Sequence, residues 1–558
     1  MIFACTLFAV SAGLSPCDVP GVKVARCGTY EVWENREAKS GRRIALNVVV
    51  LPATGSRERD AVTFLAGGPG DNATRHAAEV AGMLAGVREH RDILLVDQRG
   101  TGKSHPLECD LYPGDDPQTA LGKFLPPERI RDCRASLAKT SDLRMYTTAP
   151  SVDDLDEVRA ALGYDRLDLI GGSYGTRAAL IYIRRHPDHV RSAVLLGVSP
   201  PSDPVPQRFP RYAQNAIESV FAACRADSGC GKAFPDLQRD LLAITARTET
   251  KPVEAEILDS RTGDPLHVSL SRNLLAEALR FLLYQSGTAL YVPVLVHQAA
   301  SGDFAPLAEF ALASRRELVN GVGWGLYLSA TCSEDFPSIN AADAERDAKG
   351  TFLGDYRFRD QRSACEAWIR GPVPADFHQP VRADTPVLLV SGSWDPVTPP
   401  SDAQEAAATL SRGLSIVVPA GAHSNDGLPG ADECIAAIAN QFINRGNASG
   451  VDTSCVKRLQ RAPFPTAPVV TKAIALTPAQ QAALAGHYAA EGAPSLDIVI
   501  VKGKLIGRLQ DEPEQLALAP ISPTRLRPLG LFGVYLDFQG NQVSFVRNGV
   551  PESTWTRR

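Results

Sequence analysis

Residues 171–175 read G-G-S-Y-G and constrain the fold of this chain more than any other segment. A short apolar stretch at 167–170 precedes them, and an apolar helical stretch at 176–185 follows. A strand that enters a helix through so tight a turn forces unusual backbone angles on the central residue, Ser173. The flanking glycines let the strand and the helix approach each other, so the Ser173 hydroxyl stands exposed. The sequence therefore predicts a nucleophilic serine at the end of a buried strand.

Two downstream loops supply the partners that a nucleophilic serine requires, a general base and an acid that orients it. Apolar residues 386–390 predict a buried strand, and Asp395 lies in the loop after it. Residues 414–418 predict the next strand, which is followed by His423. Ligands of open α/β sheets bind at the carboxyl ends of the strands. We therefore expect Ser173, Asp395 and His423 to converge as nucleophile, orienting acid and base.

A glycine-rich segment, A-G-G-P-G at 66–70, follows another predicted strand at 61–65. A backbone with so few side chains can aim N–H groups at a developing oxyanion. We expect an oxyanion hole built from the backbone near Gly68 and from the N–H of Tyr174, the residue after the nucleophile. An ordinary Gly-Pro turn is the alternative. The position of the segment, one strand and loop before the serine turn, favours the oxyanion hole.

Taken together, these motifs resemble those of α/β-hydrolase serine peptidases, in particular the proline iminopeptidases and their secreted tripeptidyl aminopeptidase-like branch. Residues 66–70 resemble the HGGPG loop of proline iminopeptidases, with Ala66 in place of the histidine. Residues 97–104, D-Q-R-G-T-G-K-S, resemble their DQRG-x-G-x-S turn. The resemblance covers residues 25–460. It implies an α/β class fold with a mostly parallel sheet, an inserted helical cap, and the catalytic order Ser, Asp, His.

One motif in this region points to a different chemistry. Residues 100–104 end like a phosphate-binding P-loop, but Asp97 stands where a P-loop has its first glycine. We therefore exclude nucleotide binding and expect Asp97 and Arg99 to brace the turn near the oxyanion loop. The sequence has no Cys/His metal-ligand spacing and no H-E-x-x-H motif, so we predict neither a metal nor a cofactor.

The composition excludes two classes of partner. A net charge of −5 gives no basic footprint for nucleic acid. No apolar run reaches the length of about 18 residues that a membrane span needs. The 558 residues exceed one ordinary domain.

The cysteines predict export to the periplasm or the medium. Residues 1–12 resemble the apolar core and cleavage site of a signal peptide, although the basic start is missing and the true translation start stays open. Ten cysteines follow, and an even set in an exported chain suggests disulfides. Short spacings favour pairs between neighbours: Cys17–Cys27, Cys109–Cys133, Cys224–Cys230, Cys332–Cys365 and Cys434–Cys455. Buried free thiols in a cytosolic enzyme are the alternative.

The pattern of apolar residues divides the remaining chain. Strands and helices alternate over 13–200, the chain is largely helical over 201–380, and the sheet pattern resumes over 381–460. A proline-rich linker at 461–468 then leads to 476–558, where hairpin signals predict a small C-terminal antiparallel β-module. We predict a hydrolase core in two parts, a helical cap at 201–380, and a β-module whose role is docking.

We expect the substrate to be a peptide or a small ester. An aminopeptidase must hold a free α-amine with a carboxylate, and the cap offers Glu334 and Asp335 beside Cys332, whose disulfide would hold the segment rigid. Two solvated acids on a cap loop are the alternative. We predict a serine exopeptidase; a carboxylesterase with the same triad and a non-enzymatic binding protein are the competing hypotheses. The number of residues released and the oligomeric state stay open.

Overall fold

The computed structural model describes residues 13–114, 116–490, 494–510 and 515–558, so the predicted signal peptide at 1–12 lies outside the described residues. Two parts of the chain build a nine-stranded sheet with the order β1-β2-β3-β5-β4-β6-β7-β10-β11. Its strands are β1 (Ser15–Val19), β2 (Val22–Trp33), β3 (Arg43–Leu51), β4 (Ala61–Leu65), β5 (Ile93–Val96), β6 (Leu167–Gly172), β7 (Val190–Leu196), β10 (Val387–Gly392) and β11 (Gly413–Val418).

The sheet is mostly parallel. Strands β5, β4, β6, β7, β10 and β11 run parallel to one another, and β1 to β3 add an antiparallel edge. Parallel connections need crossover helices, which cover both faces of the sheet. The helices of the core are α1 (Ala77–Met83), α2 (Ala85–Arg88), α3 (Pro117–Ala120), α4 (Pro127–Leu137), α5 (Thr148–Ala161), α6 (Tyr174–Arg185), α17 (Pro400–Ala407) and α18 (Ala431–Arg445).

Burial on both faces explains the continuous apolar runs of the central strands. In β10, Val387 and Leu389 belong to the core shared with α5, α6 and α17. Leu388 and Val390 belong to the opposite core, shared with α1, α2 and α18. Side chains alternate along a strand, so a strand buried on both sides has no polar face. The predicted α/β class with a mostly parallel sheet is confirmed.

A cap of ten helices and a hairpin lies between β7 and β10. Its helices are α7 (Phe209–Ala226), α8 (Ser228–Ala233), α9 (Leu237–Thr250), α10 (Arg272–Leu282), α11 (Ser286–Ala289), α12 (Val292–Ala300), α13 (Ala305–Gly321), α14 (Trp324–Ala330), α15 (Ala341–Ala348) and α16 (Tyr356–Ala367). The hairpin is β8 (Val253–Leu258) and β9 (Pro265–Leu270), which the sequence reading of a largely helical cap missed. A π-helical turn, Thr331–Asp335, follows α14.

The C-terminal module is a closed antiparallel barrel of eight strands, preceded by α19 (Pro478–Leu484). The strands are β12 (Gly486–Ala489), β13 (Leu496–Val501), β14 (Lys504–Leu509), β15 (Gln515–Ser522), β16 (Arg525–Pro528), β17 (Val534–Gln539), β18 (Gln542–Arg547) and β19 (Val550–Arg557). Pairing of β12 with β19 closes it and removes the free edges that an open module would leave. Two of its hairpins have two-residue turns, Lys502–Gly503 between β13 and β14 and Gly540–Asn541 between β17 and β18.

Five disulfides join the ten described cysteines in the neighbour pairs that their spacing predicts. One of them, Cys332–Cys365, ties the π-helical turn to α16. Within the described residues, no helix has the length and hydropathy needed to cross a membrane.

Candidate active site

Ser173 occupies a strained turn between β6 and α6. Its backbone angles are φ 54° and ψ −123°, a conformation that side-chain-bearing residues rarely adopt. The Ser173 N–H donates to the carbonyl of Leu196 at 2.9 Å, which fixes the turn against the end of β7. Strain of this kind persists where the surrounding structure over-determines it, as at functional sites.

Close backbone approaches explain two of the three glycines in this turn. A Cβ at Gly175 would lie 1.9 Å from the carbonyl oxygen of Leu65, and one at Gly171 would lie 2.5 Å from that of Gly175. Neither fits without moving β4 or α6. A Cβ at Gly172 would meet only the Phe64 ring, at 3.9 Å. The turn therefore needs glycine at 171 and 175 because of space.

Asp395 and His423 form a hydrogen-bonded pair. Asp395 Oδ2 lies 2.9 Å from His423 Nδ1, and the Asp395 side chain is buried. The N–H groups of Val397 and Thr398 donate to Asp395 Oδ1 at 2.8 and 2.9 Å. Burial would raise the pKa of Asp395, but His423 and the Thr398 hydrogen bonds outweigh it and hold the pKa below its usual value. The carboxylate is therefore ionised where it meets the imidazole.

Thr398 is a partner of this pair that the sequence reasoning missed. Its hydroxyl donates to Asp395 Oδ2 at 2.8 Å and lies 3.0 Å from His423 Nδ1. The Tyr284 ring packs edge-on against the imidazole, with 5.2 Å between ring centroids. A single sequence carries no signal for either contact, since Thr398 reads as a loop residue and Tyr284 comes from the cap.

Ser173 and His423 both lie beside the end of β7, where Leu196 and Gly197 meet them. Ser173 bonds to Leu196, and a Cβ at Gly197 would lie 3.3 Å from His423 Cε1. In the part of the chain that the structure describes, no hydrogen bond joins the Ser173 hydroxyl to the imidazole. Catalytic hydrogen bonds are often long before substrate binds.

The predicted oxyanion loop lies against Ser173. A Cβ at Gly67 would be 3.3 Å from Ser173 Cβ and 3.9 Å from its Oγ. Gly68 is the next residue, and Tyr174 begins α6, where a helix leaves its first N–H groups without intrahelical partners. The Gly323 N–H of the cap donates to the Gly70 carbonyl at 2.9 Å, so the cap holds the far end of this loop.

Asp97 and Arg99 have structural roles near this loop. Asp97 accepts hydrogen bonds from the Thr74 N–H at 2.9 Å and from Asn47 Nδ2 at 2.8 Å, which anchors the segment after the oxyanion loop. Arg99 is fully buried and binds both oxygens of Asp154, at 2.6 and 2.8 Å. Both side chains are committed to protein partners.

Glu334 and Asp335 lie in the π-helical turn, and neither is solvated. Asp335 pairs with Arg177 at 2.6 Å and accepts the Val205 N–H at 3.0 Å. Glu334 accepts from the N–H and the hydroxyl of Thr148, the latter at 2.8 Å. That hydroxyl also lies 2.6 Å from the Tyr174 hydroxyl. Hydrogen bonds thus connect Glu334 to Tyr174, the residue that follows Ser173.

The two acids differ in their charged neighbours. Burial and the charge of Asp335 outweigh the hydrogen bonds from Thr148 and together raise the pKa of Glu334 to about 7. Asp335 has its counter-ion in Arg177. No cation among the described residues is bonded to Glu334, and a positive group placed beside it would favour its charged form.

One cluster outside this site has metal-ligand geometry among the described residues. Atoms of Asp156, His186 and His189 lie within 4.8 Å of one another. Arg159 Nε already contacts Asp156 at 2.7 Å, and His186 Nε2 contacts Asp153 at 2.9 Å. A cation would have to displace the Arg159 guanidinium, so these groups are engaged as an ion-pair network.

A family model described as the alpha/beta hydrolase fold matches residues 60–425. The chain belongs to this family. It is 26% identical over 474 residues to a tripeptidyl aminopeptidase of Streptomyces lividans, an alignment that covers 78% of this chain and 84% of that protein. It is 30% identical over 237 residues to the serine protease Hip1 of Mycobacterium tuberculosis, covering 39% of this chain and 45% of that protein.

Among solved structures, a proline iminopeptidase of Mycobacterium smegmatis matches with 16% identity and a TM-score of 0.37, covering 75% of this chain and 98% of that one. The sequence relatives confirm the resemblance drawn from the motifs. As an alpha/beta hydrolase with relatives named as serine peptidases, the chain is an enzyme of the hydrolase class.

Proposed function

We propose that this alpha/beta hydrolase is an exported serine exopeptidase, which releases short peptides or single residues from free N-termini. The observation that carries the proposal is the buried Asp395–His423 pair beside Ser173 in its strained turn. Five disulfides support export, because such bonds persist in oxidising compartments.

In the proposed mechanism, the Ser173 Oγ attacks the scissile carbonyl while His423 Nε2 takes its proton. Asp395 holds the imidazole by Nδ1 and stabilises the imidazolium. The backbone near Gly68 and the N–H of Tyr174 hold the oxyanion. His423 then delivers the proton to the leaving amine, and water hydrolyses the acyl-enzyme by the same route in reverse.

Glu334 is the residue we assign to the substrate ammonium group. The relatives named as tripeptidyl aminopeptidase and proline iminopeptidase support a free-amine substrate. Of the two predicted acids, Asp335 is bound to Arg177, and an ammonium group would have to compete with that guanidinium. Glu334 has only neutral donors from Thr148 and lies two hydrogen bonds from Tyr174. Asp335 therefore serves to hold the turn that presents Glu334.

The test compares one-, two- and three-residue peptide anilides with free and N-acetylated termini. We expect kcat/KM to be much higher for the free forms. Glu334→Gln removes a charge-assisted contact, which is worth about 1.5–3 kcal/mol, or roughly 10- to 150-fold, and the loss should fall on free-amine substrates alone. Glu345→Gln, an exposed change in the same cap, is the matched control.

Two results would contradict this proposal. Equal losses on free and acetylated substrates in Glu334→Gln would mean that Glu334 does not bind the amine. A wild-type preference for N-acylated esters over every free-amine peptide would identify the enzyme as a carboxylesterase that uses the same residues.

A further inference from the structure

A cavity of about 690 Å³ opens beside His423, and no group of the substrate has been assigned to it. Its floor is formed by the ends of β6, β7 and β10, including Gly172 and Ser391. Its walls come from α1, from the start of α18 and from the loop after His423. This is the sheet face opposite α5 and α6, so the cavity lies away from Thr148, the partner of Glu334.

The charged lining of this cavity is predominantly acidic. Four carboxylates line it besides that of Asp395: Glu79, Asp426, Asp432 and Glu433. No lysine or arginine is among its lining residues in the described part of the chain. Glu79 contacts His76 at 3.2 Å and Asp426 contacts Arg547 at 3.0 Å, both at the margin.

The pKa of Asp432 shows the effect of these neighbouring negative charges. Partial burial raises the pKa of Asp432, and the charges of Asp426, Glu433 and Glu79 raise it further. Carboxylates this close repel one another when ionised, and a cation placed between them would offset that repulsion. Asp432 and Glu433 lie in the first turn of α18, where the helix dipole favours negative charge.

A second, independent observation concerns Ser391, whose side chain lies at the cavity floor. Ser391 is 2% exposed, and its hydroxyl has no hydrogen-bond partner among the described residues. Buried hydroxyls are normally bonded. The Ser391 hydroxyl can donate to or accept from a polar group that enters the cavity.

We propose that this cavity receives the leaving side of the substrate and prefers a cationic residue, lysine or arginine, over an acidic one. The inference rests on the proposed function, because His423 must reach the leaving amine to protonate it and His423 lines this cavity. The acyl side, with its free amine, then lies toward Glu334 on the other face. An acidic lining attracts a positive side chain and repels a carboxylate.

The experiment uses one free-amine acyl part joined to Lys-Gly, Gln-Gly or Glu-Gly amides as leaving chains. We expect kcat/KM to fall in the order Lys, Gln, Glu, with about a tenfold span from Lys to Glu at low ionic strength. The span should shrink as salt screens the half-exposed carboxylates. The double variant Asp432→Asn/Glu433→Gln should bring the Lys-to-Glu ratio of kcat/KM close to one.

Glu31→Gln/Glu37→Gln is the matched control, since it removes the same two charges from β2 and the turn after it, near the opposite edge of the sheet. The control should keep the full span. Equal kcat/KM for the three leaving chains in the wild type would overturn the proposal. A span that survives Asp432→Asn/Glu433→Gln would also overturn it, because the preference would then arise elsewhere.

A parallel series separates this proposal from the proposed exopeptidase function. Esters of one acyl group with an ammonium-bearing, a neutral and a carboxylate-bearing alcohol probe the leaving side without any free amine. If no peptide is cleaved but the ammonium ester is preferred, the exopeptidase assignment fails and the cavity assignment stands. If free-amine peptides are cleaved without preference among leaving groups, the reverse holds.

Discussion

At the scale of single residues, the turn around Ser173 can form only because Gly171 and Gly175 have no Cβ atom. Gly175→Ala would place a Cβ 1.9 Å from the Leu65 carbonyl, so β4 and α6 would have to separate. We expect this variant to lose folding or nearly all activity, measured by thermal unfolding and turnover. Gly172→Ala has space for its methyl group and should retain the fold. Wild-type stability of Gly175→Ala would contradict the packing described for the turn.

The ionisation of Glu334 gives a second prediction at this scale. Its raised pKa of about 7 means that the carboxylate loses its charge as the pH falls through 7. The ratio of kcat/KM for a free-amine peptide to that for an N-acetyl ester should therefore fall as the pH drops from 8 to 6. The ester corrects for titration of the catalytic base. Glu334→Gln should flatten the ratio, and a flat wild-type ratio would argue against Glu334 as the amine ligand.

At the scale of elements, a carboxyl pair joins α17 of the core to the first helix of the cap. The Tyr212 hydroxyl of α7 donates to Asp402 at 2.6 Å and lies 3.3 Å from Asp203 Oδ2, and Arg208 pairs with Asp203. Burial and the charge of Asp203 raise the pKa of Asp402 to about 8. At neutral pH the Asp402 carboxyl group is therefore mainly protonated.

This shift sets the direction of a pH effect on stability. The usual pKa of an unfolded aspartate is about 3.9. Between that value and 8, the folded chain holds a proton at Asp402 that the unfolded chain releases, so this site destabilises the fold progressively as the pH rises. Asp402→Asn should therefore gain melting temperature relative to wild type between pH 5 and 8.5. Asp188→Asn, a change at an exposed position, is the control. If Asp402→Asn differs from wild type by the same melting temperature at every pH, the raised pKa of Asp402 is refuted.

The elements differ in how well the sequence predicts them. Strand β10 was predictable because burial on both faces makes its Val387–Val390 run continuously apolar, and β6 because its apolar residues lead directly into the glycine turn. Asp395 was placed by its position after β10, and His423 by its position after β11, an edge strand with an apolar sequence in which only Ile416 and Val418 are buried. The β8–β9 hairpin was not recognised inside a helical region, although Val253–Leu258 alternates buried and exposed residues. Partners such as Thr398, Thr148 and Arg177 come from tertiary contacts, for which a single sequence has no signal.

At the scale of the whole molecule, the barrel docks onto the cap. The Phe532 ring stacks between Tyr291 and Phe310, with centroid distances of 5.8 and 5.6 Å. Buried Arg527 of β16 binds Glu309 of α13 at 2.7 Å. On another side, Arg547 reaches Asp426 in the loop after His423. The barrel thus contacts both the cap and the loop after His423, and its docking role stays a prediction.

The Arg527–Glu309 pair gives a prediction for this interface. Arg527→Leu would leave the Glu309 charge buried without its partner, which costs about 3–5 kcal/mol. We expect a large drop in melting temperature, which Arg527→Leu/Glu309→Leu should mostly restore. Arg525→Leu, two residues away in an exposed pair with Asp537, should cost about 0–1 kcal/mol. Similar small losses in both single variants would mean that the buried pair does not hold the barrel.

The central claim is that Ser173 is the nucleophile of an Asp395–His423-assisted hydrolase, and covalent labelling tests it most directly. A fluorophosphonate probe should modify the wild-type protein on the peptide that contains Ser173, as read by mass spectrometry. Ser173→Ala should lose the label and lower kcat by about 10⁴-fold or more with an unchanged fold, and Asp395→Asn should lower kcat by about 10⁴-fold. Labelling of a different serine, or wild-type turnover in Ser173→Ala, would contradict the account.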